Sequence, residues 1–201
     1  QDSTFSNTSQ HLKLDYQLRP NINIGLNADF ENSSDLLDSD FSREDIQDFK
    51  KQRYGLSFAY DRPKRFSNLF LSSQLVSVHF GIGNRQFEEV EENQHYLELN
   101  ARQIFKLSKR QYLFTGLNAG YLSSDRFLSN ELYRFGGINT IRGFPENRFF
   151  ANLFGTVQTE YRYILGSNLY AHSVLDYGFY ENDINIFTEN LYSIGFGFGV
   201  E

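Results

Sequence analysis

Apolar and polar side chains alternate along most of this chain with a period of two, and no other feature of the sequence constrains the fold as strongly. In residues 21–30, for example, one face carries three asparagines, an aspartate and a glycine, and the other carries Ile22, Ile24, Leu26, Ala28 and Phe30. A period of two is typical of β-strands whose two faces have different surroundings. The same pattern recurs in residues 12–18, 53–61, 95–106, 112–121, 153–165, 168–179 and 191–200. Residues 66–80 are also strand-like but carry apolar side chains on both faces, so the sequence predicts about nine strands.

The length of these strands indicates a membrane protein. They have roughly 9–14 residues, as strands that cross a bilayer obliquely do, whereas strands of soluble proteins most often have about 5–6. No run of the sequence approaches the ~18 apolar residues of a membrane-spanning helix. One face of each strand is too hydrophilic for a packed core, so we expect it to line a wet lumen while the apolar face meets lipid. The sequence therefore predicts an all-β fold, an antiparallel up-and-down transmembrane β-barrel.

The connections between the strands alternate in length, which predicts the two ends of the barrel. Short turns are predicted at 19–20, 62–64, 108–110 and 166–168, and long polar loops at 31–52, 84–94, 122–152 and 180–190. In an up-and-down barrel, all the short turns then lie at one end and all the long loops at the other. Outer-membrane barrels have this asymmetry, with short periplasmic turns and long external loops.

Two of these loops are acidic and allow more than one interpretation. Residues 42–45 start a short helical pattern with Ile46 and Phe49 on one side. Three interpretations of the loop 31–52 are open: a surface-binding helix, a cation site formed by Asp35, Asp38 and Asp40, or a solvated external loop. We favour the solvated loop, and we interpret the acidic run at 88–92 in the same way.

Composition argues against several classes of function. The chain has no cysteine, so it offers no disulfide and no thiolate, and its net charge of −6 argues against a nucleic-acid partner. No metal site and no cofactor is predicted. The histidines lie on different predicted strands, none beside a plausible nucleophile: His11, His79, His95 and His172. His172, near Asp176, is the best candidate for catalysis, but we predict that the chain is not an enzyme.

A glycine-rich segment within the loop 122–152 has the most specific chemistry. It reads Phe-Gly-Gly-Ile-Asn-Thr-Ile-Arg-Gly-Phe from Phe135 to Phe144. Glycines allow tight turns, and inside a barrel the natural destination of Arg142 is the lumen, where a buried arginine needs carboxylate partners. By the period of two, Glu160 and Asp176 face inward on adjacent strands. They either accept Arg142 in a charge-assisted pair or are ordinary polar residues of the lumen.

This segment resembles part of the C-terminal barrel of the BamA/TamA outer-membrane assembly superfamily, the bacterial surface antigen type. The resemblance extends to Glu160-Tyr161-Arg162 and Asp176-Tyr177-Gly178, and it is only topological before about residue 120. In that family a loop with an Arg-Gly-Phe/Tyr tip folds back into the lumen, and its arginine meets a Glu and an Asp on the two following strands. The resemblance implies these roles for Arg142, Glu160 and Asp176. It also implies that the loop tip is shaped by Gly136, Gly137, Gly143 and Phe144.

The resemblance further implies what surrounds the chain. Family barrels have roughly sixteen strands, an even number as in other bacterial single-chain barrels. Residues 1–201 are therefore expected to form one partial block of an outer-membrane barrel domain, without several early strands, the last two strands and the N-terminal periplasmic or other domain. The odd strand count and the absence of methionine agree with a partial or processed product. The chain departs from the family at Val174, two positions before Asp176, where the family has an aromatic residue.

The function expected from the resemblance is the insertion or translocation of proteins, or of lipids, at the bacterial outer membrane. The expected partners are the lipid bilayer, client outer-membrane proteins and accessory lipoproteins. An alternative is a barrel that anchors or exports a fused N-terminal domain such as a patatin-like lipase. No Gly-x-Ser-x-Gly nucleophile elbow occurs in these 201 residues, so a lipase would lie outside them.

Overall fold

The computed structural model describes residues 5–35, 48–67, 70–87 and 89–200, and the regular structure of these residues is entirely β. The strands are β1 (Phe5–Arg19), β2 (Ile22–Asp35), β3 (Phe49–Ser67), β4 (Phe70–Phe87), β5 (Val90–Lys106), β6 (Gln111–Ser123), β7 (Tyr133–Phe135), β8 (Phe149–Ala151), β9 (Leu153–Ile164), β10 (Leu169–Asn182) and β11 (Phe187–Val200). Nine of these described strands form one sheet in chain order, and β7 and β8 pair separately. The prediction of an antiparallel up-and-down sheet of nine strands is confirmed.

The described part of the chain contains no helix with the length and apolarity needed to span a membrane.

The sheet has two faces of opposite character, because successive side chains of a strand point to opposite sides. The register aligns apolar residues in a row across six strands: Leu14, Leu26, Leu56, Phe80, Leu97 and Tyr121. Each of these side chains is at least 41% exposed. We call this side the apolar face and the opposite side the polar face. The polar face carries residues such as Asn27, Gln158 and Asp176, which are buried.

The sheet is open within the described residues, since its order begins at β1 and ends at β11 without a pairing between them. A partial block of a larger transmembrane barrel was predicted, and the structure shows the open antiparallel sheet alone. With nine antiparallel strands in sequence order, the two edge strands run in the same direction. The shared direction of the two edge strands determines how many further strands can close the sheet.

Several predicted connections are wrong because the strands are longer than their apolar alternation. β3 continues through the predicted turn at 62–64, where Pro63 pairs with Ser73. The predicted long loops at 84–94 and 180–190 are short, since β5 begins at Val90 and β11 at Phe187. Beyond the apolar row both strand faces become polar, so the alternation is lost while the backbone ladder continues. The strict alternation of short and long connections therefore does not hold.

The acidic segments have two different outcomes. Residues 36–47, which contain the start of the predicted helix as well as Asp38 and Asp40, lie outside the described residues. The solvated loop predicted at 88–92 is wrong for Glu92, which is 7% exposed on β5. Its side chain contacts Arg85, and this pairing explains its burial.

The long connection between β6 and β9 folds back onto the polar face. It leaves β6 after Ser123, contains the hairpin β7–β8 and rejoins the sheet at Leu153. Residues 124–152 are called the inner loop below. An apolar cluster packs the inner loop against the sheet, with Phe135, Ile141 and Ala151 from the loop and Phe154, Tyr180 and Leu191 from β9–β11.

Candidate functional site

The tip of the inner loop turns on glycines with positive φ angles. These are Gly136 at +124°, Gly137 at +89° and Gly143 at +85°, a region that side chains other than glycine rarely adopt. The Thr140 hydroxyl accepts a hydrogen bond of 2.8 Å from the Gly136 N–H, and Glu146 accepts one of 3.0 Å from the Ile138 N–H. The Glu146 carboxylate occupies the space that a Cβ on Gly137 would need. The two adjacent glycines are therefore required by the shape of the turn.

Replacing Gly137 by alanine is expected to lower the folded fraction of the protein. The new Cβ meets Glu146 and the φ angle of +89° is unfavourable, a strain of about 1–3 kcal/mol. The unfolding midpoint in urea measures the effect. Gly166→Ala is the matched control, since no atom lies within 4 Å of the added Cβ there. Equal midpoints for the two variants would contradict this account of the turn.

The structure brings together Arg142, Glu160 and Asp176, the three charged residues singled out in the sequence. Arg142 Nε donates to Asp176 Oδ2 at 2.8 Å, and the Arg142 backbone N–H donates to the same oxygen at 3.0 Å. Arg142 Nη2 pairs with Asp176 Oδ1, and Nη1 pairs with Glu160. The aspartate is thus bound by both the side chain and the backbone of Arg142, which fixes the position of the loop tip as well as its charge.

Burial makes this cluster sensitive to the loss of one charge. The side chain of Asp176 is fully buried, and those of Arg142 and Glu160 are 16% and 11% exposed. Burial opposes the charge of Arg142, but the hydrogen bonds and charges of Asp176 and Glu160 outweigh it, so the arginine pKa is raised above its ordinary value. Glu160 also accepts a hydrogen bond of 2.6 Å from Arg162 Nε. Among the described residues, Asp176 forms its ion pair with Arg142 alone.

Amide side chains of the sheet hold the backbone of the loop tip. Asn118 of β6 donates to the Asn139 carbonyl at 3.0 Å, and Gln158 of β9 donates to the Ile138 carbonyl at 3.0 Å. A cavity of about 490 Å³ lies beside these contacts, between the tip and strands β5, β6, β9 and β10. The tip is therefore held by neutral hydrogen bonds as well as by the ion pairs of Arg142.

Aromatic rings hold the middle of the inner loop. Phe135 is 1% exposed and stacks on Phe154 with ring centroids 4.7 Å apart. Its ring also contacts Phe149 at 5.2 Å and Tyr180 at 5.3 Å. Phe144, predicted to shape the tip, packs edge-on against Phe149 at 5.2 Å. The residue before the glycine pair and the second residue after the arginine thus join one aromatic cluster.

A second buried charged cluster was not predicted from the sequence. Arg85 of β4 pairs with Glu131 of the inner loop and with Glu92 of β5, and Gln94 donates to Glu131 at 2.9 Å. Arg85 and Gln94 are 0% exposed. The alternation beyond residue 80 would have placed Arg85 and Glu92 on one face if the strands had been extended, but nothing in the sequence pairs them with Glu131.

Three histidines, His11, His79 and His172, lie beside carboxylates on the polar face, whereas His95 lies on the side of β5 that carries Leu97. His11 contacts Asp29, and His172 Nδ1 lies 3.9 Å from Glu160. His172 lines the cavity beside Arg142 and Glu160, so it belongs to the surroundings of the arginine cluster, and it also packs over Gly197 of β11. The described residues contain no group of three or more His, Cys, Asp or Glu side chains that could hold a metal ion.

No protein-family model matches this chain, and no curated protein matches it at a significant level of similarity.

Proposed function

We propose that this chain is part of a bacterial outer-membrane β-barrel of the BamA/TamA type, which inserts or translocates proteins, or lipids, at that membrane. The observation that carries the proposal is the position of Arg142 against Glu160 and Asp176. The two carboxylates lie on β9 and β10, the two strands that follow the loop, as the resemblance implies. An arginine bound by two carboxylates from different strands holds the loop inside a barrel without any bond chemistry.

The apolar face supports a position in lipid. Its side chains stay exposed from the first strand to the last, for example Leu14 at 69%, Leu56 at 60% and Phe196 at 88%. Soluble monomers rarely expose a contiguous apolar surface larger than a few hundred Å². The most deeply buried side chains include charged ones, as expected of a barrel with a polar interior and an apolar exterior.

The odd number of strands in the sheet supports a larger barrel. Its edge strands run in the same direction, so antiparallel closure requires an odd number of further strands and an even total. A second copy inserted in the same orientation makes the total even but cannot supply antiparallel pairing, because all its edge strands run in the same direction as those of the first copy. Unpaired strand edges are not stable in lipid, so the additional strands are part of the proposal.

A pair of adjacent substitutions tests the orientation of the sheet in the membrane. Leu56→Arg on the apolar face is expected to destabilise the protein by about 2–4 kcal/mol, because it places a charge in the hydrocarbon region. Ser57→Arg is the matched control, since its side chain lies on the polar face and costs at most about 1 kcal/mol. The folded fraction recovered from outer membranes measures both effects. Equal tolerance of the two arginines would mean that the apolar face does not meet lipid.

The assembly function is tested by depleting the protein in its native bacterium. We expect other outer-membrane proteins to lose their folded, heat-modifiable form on gels, because their insertion depends on this barrel. If their folding is unaffected while a domain fused to this barrel disappears from the cell surface, the anchor or exporter function replaces the proposal.

A further inference from the structure

The inner loop is attached to the sheet at two places with opposite charge polarity. At its tip the loop supplies the cation, Arg142, to two carboxylates of β9 and β10. At its base the loop supplies the anion, Glu131, to Arg85 of β4, which also pairs with Glu92 of β5. Neither half of the loop can bind at the other site, because like charges would meet there.

Several kinds of contact hold the base of the inner loop against the sheet. Glu131 accepts hydrogen bonds from Gln94 Nε2 at 2.9 Å and from the Leu128 N–H at 3.0 Å, in addition to its pair with Arg85. Asn130 donates to Ser33 of β2 at 2.8 Å. Leu128 joins one buried apolar cluster with Phe49 of β3 and Phe87 of β4. The base of the loop is therefore attached to four strands, β2 to β5.

We propose that the Glu131–Arg85 contact is a second anchor that acts independently of Arg142, and that the inner loop is a permanent brace joining β2–β5 to β9–β10. The two anchors share no residue, and the hairpin β7–β8 with its aromatic cluster lies between them. Residues without shared partners contribute independently to stability.

This brace has a consequence for movement that rests on the proposed function. Insertion of a client into lipid requires part of the barrel to open. Strands tied together across the polar face cannot separate without breaking one of two buried ion-pair clusters. The opening is therefore located outside the block β2–β10, and the inner loop stays in place while the protein works.

Two buried residues serve as reporters, since the chain has no cysteine of its own. Ser33, 1% exposed, accepts the hydrogen bond from Asn130 at the base anchor, and Thr156, 0% exposed, lies on β9 and meets Gly178 together with Ile141 of the loop tip. Each is replaced by cysteine in the full-length protein, and its labelling by a water-soluble maleimide is followed in outer-membrane fragments. Arg85→Gln and Arg142→Gln each remove the cation of one anchor. Arg126→Gln is the control, because Arg126 is also near Glu92, at 3.9 Å, but is 63% exposed.

We expect Arg85→Gln to increase the labelling rate at position 33 by about tenfold or more, and at position 156 by less than about twofold. Arg142→Gln is expected to do the reverse, and Arg126→Gln to change neither. Continued protection of position 33 in Arg85→Gln would show that the base contact is no anchor. Parallel exposure of both reporters would show that the loop is one unit. If Arg85→Gln does not fold, Glu131→Gln tests the same anchor from the loop side.

The permanence of the brace is tested in growing cells that carry the parent anchors. Both reporters are expected to stay unlabelled, whereas labelling of either one would show that the loop opens during function. Labelling does not require insertion activity to be measured. A failure of the brace is therefore distinguishable from a failure of the assembly function, which the depletion experiment tests.

Discussion

Replacing Arg142 by alanine is expected to destabilise the folded protein by about 3–5 kcal/mol, because a fully buried Asp176 loses the cation beside it. The loss of the cation is expected to destabilise Glu160 less, since Arg162 remains within hydrogen-bond distance of it. The free energy of unfolding in urea, with the protein in lipid vesicles, gives the magnitude. The mobility of unheated samples on gels gives the folded fraction at the same time.

Two second-site variants identify which carboxylate is responsible. Asp176→Asn in the Arg142→Ala background removes the uncompensated charge and is expected to recover part of the lost stability. Glu160→Gln in the same background is expected to recover little, because it also removes the carboxylate that Arg162 contacts. If Arg142→Ala unfolds like the parent, the arginine does not lock the loop. If Glu160→Gln is the better suppressor, the burial of Asp176 is not the dominant effect.

The strands could be predicted from the sequence because each one separates two environments. Asn27 on the polar face and Leu26 on the apolar face are neighbours in sequence, and this contrast is repeated along the pleat. Strand ends could not be predicted in the same way. Around Arg85 both faces of β4 are polar, so alternation gives no signal, and only the backbone ladder with β5 shows that the strand continues.

The tip of the site could be predicted in part, and the base could not. A period of two suffices to place Glu160 and Asp176 on one face, although the register pairs Asp176 with Gln158 and Glu160 with Val174. The contact of Arg142 with both carboxylates depends on where the loop crosses the sheet. Glu131 lies in a segment without periodicity, and its partner Arg85 is 46 residues away in the chain, so only the folded loop brings them together.

The aromatic cluster connects the two anchors, and its central ring is Phe135. This residue belongs to β7, yet three of its ring neighbours, Phe154, Phe149 and Tyr180, come from β9, β8 and β10. The cluster therefore fixes the hairpin against the sheet by ring packing, without any charged group. Its loss should weaken the attachment of the whole loop even where both ion-pair anchors are intact.

Phe135→Ala is accordingly expected to destabilise the protein by about 3–5 kcal/mol, because it removes a fully buried ring and leaves a cavity between four elements. Phe135→Leu keeps most of the apolar volume and should cost less than half as much. Phe150→Ala on the same hairpin is the matched control, since this ring is 36% exposed and stacks only with Arg134 among the described ring contacts. Unfolding in urea compares all three. An effect of Phe150→Ala as large as that of Phe135→Ala would mean that any truncation of the hairpin releases the loop, and that the stacked cluster contributes nothing specific.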